Sequence, residues 1–270
     1  SNAGLSNTTG NVNVFIGSNC ADANTTGAGN VAVGQEAFGT NTTGGQSVAV
    51  GYNALKVSTT SSNNVAVGMN ALFYNTTASY NTAIGQAALQ ANTTGHSNTA
   101  SGYNALYSNT TGNNNTAIGY YAGNTITTGS YNCCLGFDAE PSSATVNFEV
   151  VLGDANIATL RCNTSTISSL SDARDKVEVE PSPLGIDFLN KLNPVKFLWQ
   201  SREDNSKDGT YEIGFIAQEL QAVQASSNTE YLKMVHDKNP DRLEASYSQL
   251  VPILVQAIKE LSAKVAALEA

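Results

Sequence analysis

Short apolar triplets punctuate the first half of the chain at a fixed interval. Val31-Ala32-Val33, Val48-Ala49-Val50 and Val65-Ala66-Val67 each alternate large, small, large, and each ends on a glycine. Period-two alternation with β-branched residues predicts a three-residue strand. The small Ala faces the side of the strand where space is tight. The glycines recur every seventeenth residue: Gly17, Gly34, Gly51, Gly68, Gly85, Gly102, Gly119, Gly136. They mark strand ends where the backbone takes a positive φ or runs close to a neighbour. Three residues after each glycine from Gly34 to Gly119 stands Ala (Ala37, Ala54, Ala71, Ala88, Ala105, Ala122), followed by Phe38, Leu55, Leu72, Leu89 and Leu106 at the first five. This predicts a second inward-facing segment. Thr-Thr pairs from Thr8-Thr9 to Thr127-Thr128 hold the same beat, within Asn-Thr-Thr-Gly turns in the clearest copies.

So strict a period describes one unit stacked on itself, and it argues against a globular enzyme core in residues 1–140. Seventeen residues suffice for a coil with two short straight segments and two turns. Coils stacked about 4.8 Å apart would make a rod of roughly 40 Å from eight units. Each coil offers few apolar side chains against an ordering cost of about 1–2 kcal/mol per residue. Burial of apolar stripes from several chains around one axis is therefore expected.

The last hundred residues read differently. Pro183–Leu189 predicts a short helix, and Val195–Trp199 a strand pairing with Tyr211–Phe215 across a polar loop. Ala217–Leu220 predicts a helix start. Val251, Leu254, Ile258, Leu261, Val265 and Leu268 follow a 3-4-3-4-3 spacing, the seam of a coiled coil. The competing reading of this seam is an amphipathic helix packed inside a monomer. Pro252 suits a first helical turn.

Charge divides the chain at the same place. Residues 1–170 hold six of the 22 acids and two of the 13 bases; residues 171–270 hold the other 16 and 11. The predicted organisation is a repeat shaft at 4–140, a β junction at 141–170 and an α+β domain at 171–270. Ser1-Asn2-Ala3 has the look of a tag remnant and is left out. A net charge of −9 without a basic stripe argues against nucleic acid, and no apolar run approaches a membrane span. No secretory signal is visible.

Cys20, Cys133, Cys134 and Cys162 lack a metal-ligand or disulfide-framework spacing and read as small buried hydrophobes. His96 and His236 have no ligand partner close in sequence. Neither a metal nor a cofactor is expected. Asn7, Asn24, Asn41, Asn75, Asn92 and Asn109 fit the N-glycosylation pattern, with a plain turn as the better reading. Tyr52, Tyr103, Tyr120 and Tyr121 follow the glycines and could touch sugar or merely pack; no receptor site is located.

Two resemblances add to this reading. Asn-Asn-Val-Ala-Val-Gly (63–68) and Asn-Thr-Ala-Ile-Gly (115–119) resemble the head repeats of trimeric autotransporter adhesins, which form a trimeric left-handed β-roll. The units here are longer and more regular. Ser171–Lys176 (Ser-Asp-Ala-Arg-Asp-Lys), Leu192–Trp199, Ile213–Leu220 and Tyr247–Leu261, in that order, resemble the peptidase S74 family, the intramolecular chaperones that end phage tailspikes, tail fibres and related viral proteins.

The second resemblance implies a homotrimer that cuts itself at Leu170–Ser171, with Ser171 as nucleophile and Lys176 as base. The chemistry is reasonable on its own terms. Attack within one chain gains effective molarity, and a lysine in its neutral form removes a hydroxyl proton. From the Ser-Lys spacing alone, a charged turn is the better reading; the resemblance over the whole domain reverses that. The expected fold is thus an all-β trimeric β-solenoid of eight 17-residue repeats, then an α+β chaperone domain ending in a trimeric coiled-coil helix.

The function implied is assembly of a viral or phage fibre or spike, followed by release of the chaperone. The expected location is the virion, with host attachment through a candidate glycan or protein receptor. The alternative is a bacterial trimeric surface adhesin whose last domain is a permanent anchor. A polysaccharide-degrading spike finds no support, because the repeats hold almost no carboxylates.

Overall fold

The computed structural model describes residues 2–157, 160–161, 171, 173–200, 209–237 and 243–269. The chain forms two compact units, Ser1–Asn156 and Ile157–Ala270.

The first unit is a β-solenoid. Its strands are β1 (Val14–Ile16), β2 (Val31–Val33), β3 (Val48–Val50), β4 (Val65–Val67), β5 (Thr82–Ile84), β6 (Thr99–Ser101), β7 (Thr116–Ile118), β8 (Cys133–Leu135) and β9 (Val150–Leu152). They form one parallel sheet in sequence order, each residue paired with the one seventeen further on. The middle residue of β2 to β8 is buried and its neighbours lie outward, as the alternation predicts. Ala32, Ala49, Ala66, Ala83, Ala100, Ala117 and Cys134 make one interior column; the Ala and Leu after each glycine make two more. β9 continues the sheet into the stretch read from sequence as a junction. Gly153 keeps the seventeen-residue beat there.

The second straight segment of each coil is absent. After the strand the chain winds through residues of positive φ, such as Asn53 (58°) and Leu55 (52°). Left-handed backbone costs a non-glycine residue about 1–2 kcal/mol. Each such residue here gains a hydrogen bond to a neighbouring coil in return. Asn53 donates back to the Gln35 carbonyl (3.1 Å) and Leu55 forward to that of Ala71 (3.0 Å). The Asn53 and Leu55 N–H groups thus point to opposite neighbours, while that of Ala54 between them closes on Gly51 of its own coil (3.3 Å). Gly102 shows why the repeating glycine is required: its φ is 142°, and a Cβ there would strike the carbonyl of Gly119 on the next coil.

The expected shortage of interior material is met inside one chain by asparagine. Asn13, Asn30, Asn64, Asn81, Asn98, Asn115 and Asn132 form a column along the stack. Asn98 donates to the Gly112 carbonyl (2.8 Å) while its Oδ1 accepts the Asn115 N–H (2.9 Å), and the others repeat the pattern. The sequon asparagines form a second column. Asn92 Nδ2 donates to Asn75 Oδ1 (2.9 Å) and to the Gly95 carbonyl (3.0 Å). Asn24, Asn41, Asn75, Asn92 and Asn109 are fully buried, so in the folded solenoid these amides are structural and closed to glycosylation; Asn7 on the first coil is exposed. The first Thr of each pair donates its hydroxyl to the matching carbonyl of the next coil, as Thr93 does to Thr110 (3.0 Å).

Where the pattern breaks, the break is compensated. Ser58 replaces an asparagine and bonds Ser61, Oγ to Oγ at 2.6 Å. Gly123 replaces the interior Leu, and Ile126, in an asparagine position, reaches towards the vacated space. That exchange leaves Asn109 Oδ1 buried without a donor. Cys20 and Cys134 are buried free thiols, as expected, while Cys133 is half-buried on the outer side of β8. Cys162 lies outside the described residues.

The second unit is a small α+β fold. Helix α1 (Ile186–Leu189) precedes the antiparallel hairpin β10 (Val195–Leu198) and β11 (Tyr211–Gly214), paired as the sequence predicts. Helix α2 (Ala217–Ser227), the short pair β12 (Val235–His236) and β13 (Glu244–Ala245), and the 20-residue helix α3 (Leu250–Glu269) follow. Phe188, Leu220, Met234, Leu250 and Ile253 form the core. Glu260 of α3 accepts the N–H of Ile186 (2.9 Å), clasping α3 to the start of α1. Among the described residues no helix is long and apolar enough to cross a membrane.

Candidate active site

Ser171 and Lys176 are five residues apart, a distance an extended chain would stretch to roughly 17 Å. A single 3-10 turn, Ala173–Asp175, folds the segment back. The Lys176 N–H closes that turn on the Ala173 carbonyl (3.2 Å). As a result Lys176 Nζ lies 2.6 Å from Ser171 Oγ and 3.4 Å from the Ser171 carbonyl oxygen. The two residues named from the sequence are thus in direct contact, and both are exposed in the single chain. Leu170, on the other side of the expected scissile bond, lies outside the described residues, as does Asp172.

Residues 171–228 match the family model described as the chaperone of endosialidase, Peptidase_S74. The matched segment contains the Ser171–Lys176 contact, α1, the hairpin and α2, and it follows a β-solenoid. It stops before α3, so it is shorter than the 171–270 stretch whose motifs carry the resemblance. No curated protein and no solved structure matches the chain.

The second unit also carries an uncovered apolar stripe. Val251, Leu254, Ile258, Leu261, Val265 and Leu268 are between 46% and 88% exposed. A different face of α3, with Leu250, Ile253 and Ala257, is buried. The helix therefore leaves these six apolar positions uncovered in the single chain. A cleft of about 380 Å³ between α1, the end of α2 and Glu260 includes neither Ser171 nor Lys176.

Sequence reasoning missed both asparagine columns. Their signal was present, since Asn13, Asn30, Asn64, Asn81, Asn98, Asn115 and Asn132 stand four residues before a repeating glycine. Polar residues between strands were assigned to turns, whereas here they fill the interior.

Proposed function

We propose that this chain is the C-terminal part of a viral or phage tail fibre or spike. Its last unit brings three copies together, guides folding of the solenoid, and then releases itself by cutting Leu170–Ser171. The observation that carries the chemical part is the 2.6 Å contact between Lys176 Nζ and Ser171 Oγ within a segment that matches a self-cleaving chaperone family.

In this mechanism neutral Lys176 takes the Ser171 hydroxyl proton as Oγ attacks the Leu170 carbonyl carbon. The new C–O bond forms, the C–N bond breaks, and the proton passes to the freed Ser171 amine. Water then hydrolyses the ester, leaving a carboxylate on Leu170 and restoring the hydroxyl. A lysine serves as base in its neutral form, which burial favours. Ser171 and Lys176 are exposed in one chain, and assembly supplies the cover. Cleavage is thereby tied to a finished trimer, and it turns over once per chain.

A chaperone suits this solenoid for a physical reason. Near-identical coils let copies associate one repeat out of step with little loss of contact, so the gap between right and wrong assemblies is small. Joining the chains at one end through the α3 seam fixes the register. Removing that joint afterwards leaves a shaft that is slow to unfold and hard to reform.

Denaturing electrophoresis tests the proposal. Wild type should separate into fragments 1–170 and 171–270, and Ser171→Ala and Lys176→Ala should stay whole. An intact wild-type band after complete folding would instead favour a permanent trimeric anchor of the adhesin kind.

A further inference from the structure

The outer surface of the solenoid changes character along its length. The position after each repeating glycine holds Gln35, Tyr52, Met69 and Gln86 in earlier coils, then Tyr103, Tyr120 and Phe137. These last three rings stack along the shaft, with centroids 5.1 Å and then 5.6 Å apart and planes within 15° and 4° of parallel. The position two residues before each strand changes likewise, ending in Tyr131 and Phe148, stacked at 4.8 Å. Between these aromatic columns run the outward side chains of β7 to β9, including Ile118, Leu135 and Leu152, which neighbour one another in register. In β6 the same outward positions are Thr99 and Ser101, while β2 to β4 present valine at both and lack the flanking stacks of rings.

We infer that this stretch, from Tyr103 to Leu152, is the surface through which copies of the solenoid first join, and that its occupant is the same surface of a second copy of this chain. The inference rests on the trimeric reading above and names the part of the shaft that carries it.

Area is the first argument. Phe and Tyr present about 150–250 Å² each, and the residues of this stretch stand between 36% and 77% exposed. Together they leave on the order of 1,000 Å², more than the ~300–600 Å² that a typical monomer leaves in its largest apolar patch. It is also more than the ~800 Å² each partner gives to a standard interface.

Charge is the second argument. A chain of net charge −9 resists self-association unless the touching surface is neutral. The columns carry no charged side chain as far as Phe137 and Phe148; the next position beyond Phe137 is Asp154, half-buried and bonded to Asn156. Of the acids nearby in sequence, Glu140 is tied to Asn124 and Thr125, and Glu149 to Ser142. Asp138 is exposed beside Phe137. The placement is also useful, because the stickiest coils are the last made before the unit that supplies the α3 seam.

The experiment compares full-length chains, all kept whole by Ser171→Ala, by sedimentation over a concentration series. Tyr131→Ser with Phe148→Ser should weaken trimer formation by 100-fold or more. Tyr52→Ser with Tyr80→Ser, exposed aromatics of earlier coils, should change it less than threefold. As a second measurement, Phe148→Cys in a Cys133→Ser, Cys162→Ser background is labelled with pyrene and should show excimer emission on assembly. Equal association of both double variants, or a trimer without excimer emission, would overturn the inference while leaving the trimer standing. A wild type that sediments as single chains would overturn the trimeric reading beneath it.

Discussion

At the residue scale the solenoid depends on groups that would ordinarily be placed on the surface. Asn98→Ala leaves the Asn115 N–H without its partner and the Gly112 carbonyl with one donor, Asn109, instead of two. Unmet buried groups cost about 1–3 kcal/mol each. A loss of roughly 3 kcal/mol in urea unfolding is expected, against under 1 kcal/mol for exposed Tyr80→Ser. The cysteines offer a second check. Burial, followed by the Glu140, Cys133 and Glu149 charges, pushes the Cys134 thiol up to about 12. The Cys20 thiol is also pushed up, chiefly by burial. The thiolate is the reactive form, so in folded but unassembled chains a maleimide should label Cys133 well before Cys134 or Cys20, as read by peptide mass spectrometry. Rapid labelling of Cys134 would mean that the last coils open readily.

At the element scale the two faces of α3 have separate tasks. Ile253 sits in the core of the second unit and Ile258 stands on the open seam. Ile253→Ala should cost that unit about 2–5 kcal/mol, seen as a lower unfolding midpoint. Ile258→Asp should leave its circular dichroism unchanged and reduce chain association instead. Acid offers another test of the same helix. The Ile186 N–H, then the Gln256 amide, hold the Glu260 carboxyl below its usual value. A carboxyl depressed by folding stabilises the folded state above its unfolded pKa, and this stabilisation fades as pH falls through the folded value. Protection of the Ile186 amide from exchange should therefore drop as pH falls below the ordinary glutamate range, about 4.3. In Glu260→Gln that pH dependence should vanish.

These elements also show what sequence could and could not disclose. The strands, the hairpin and the last helix were legible because their periodic patterns are direct images of geometry. The stretch after each glycine was misread as straight, because Leu55 and its equivalents are ordinary apolar residues that seldom take a left-handed backbone. Only inter-coil hydrogen bonds hold them there, and nothing in a single repeat announces those bonds. The Ser171–Lys176 pairing was legible through family likeness alone; its contact depends on the Ala173–Asp175 turn.

At the scale of the whole molecule, a repetitive shaft and a compact terminal unit solve complementary problems. The shaft closes its own interior through alanine, leucine and asparagine columns, yet its outer sheet face and the α3 seam remain apolar and uncovered. Both surfaces fit further copies of the chain, and the account stands on their being covered by two others. Sedimentation equilibrium of purified Ser171→Ala protein, which keeps both units joined, measures this most directly. The account predicts the mass of three chains at micromolar concentration, with a solenoid circular dichroism spectrum. The mass of one chain, with that spectrum intact, would contradict it.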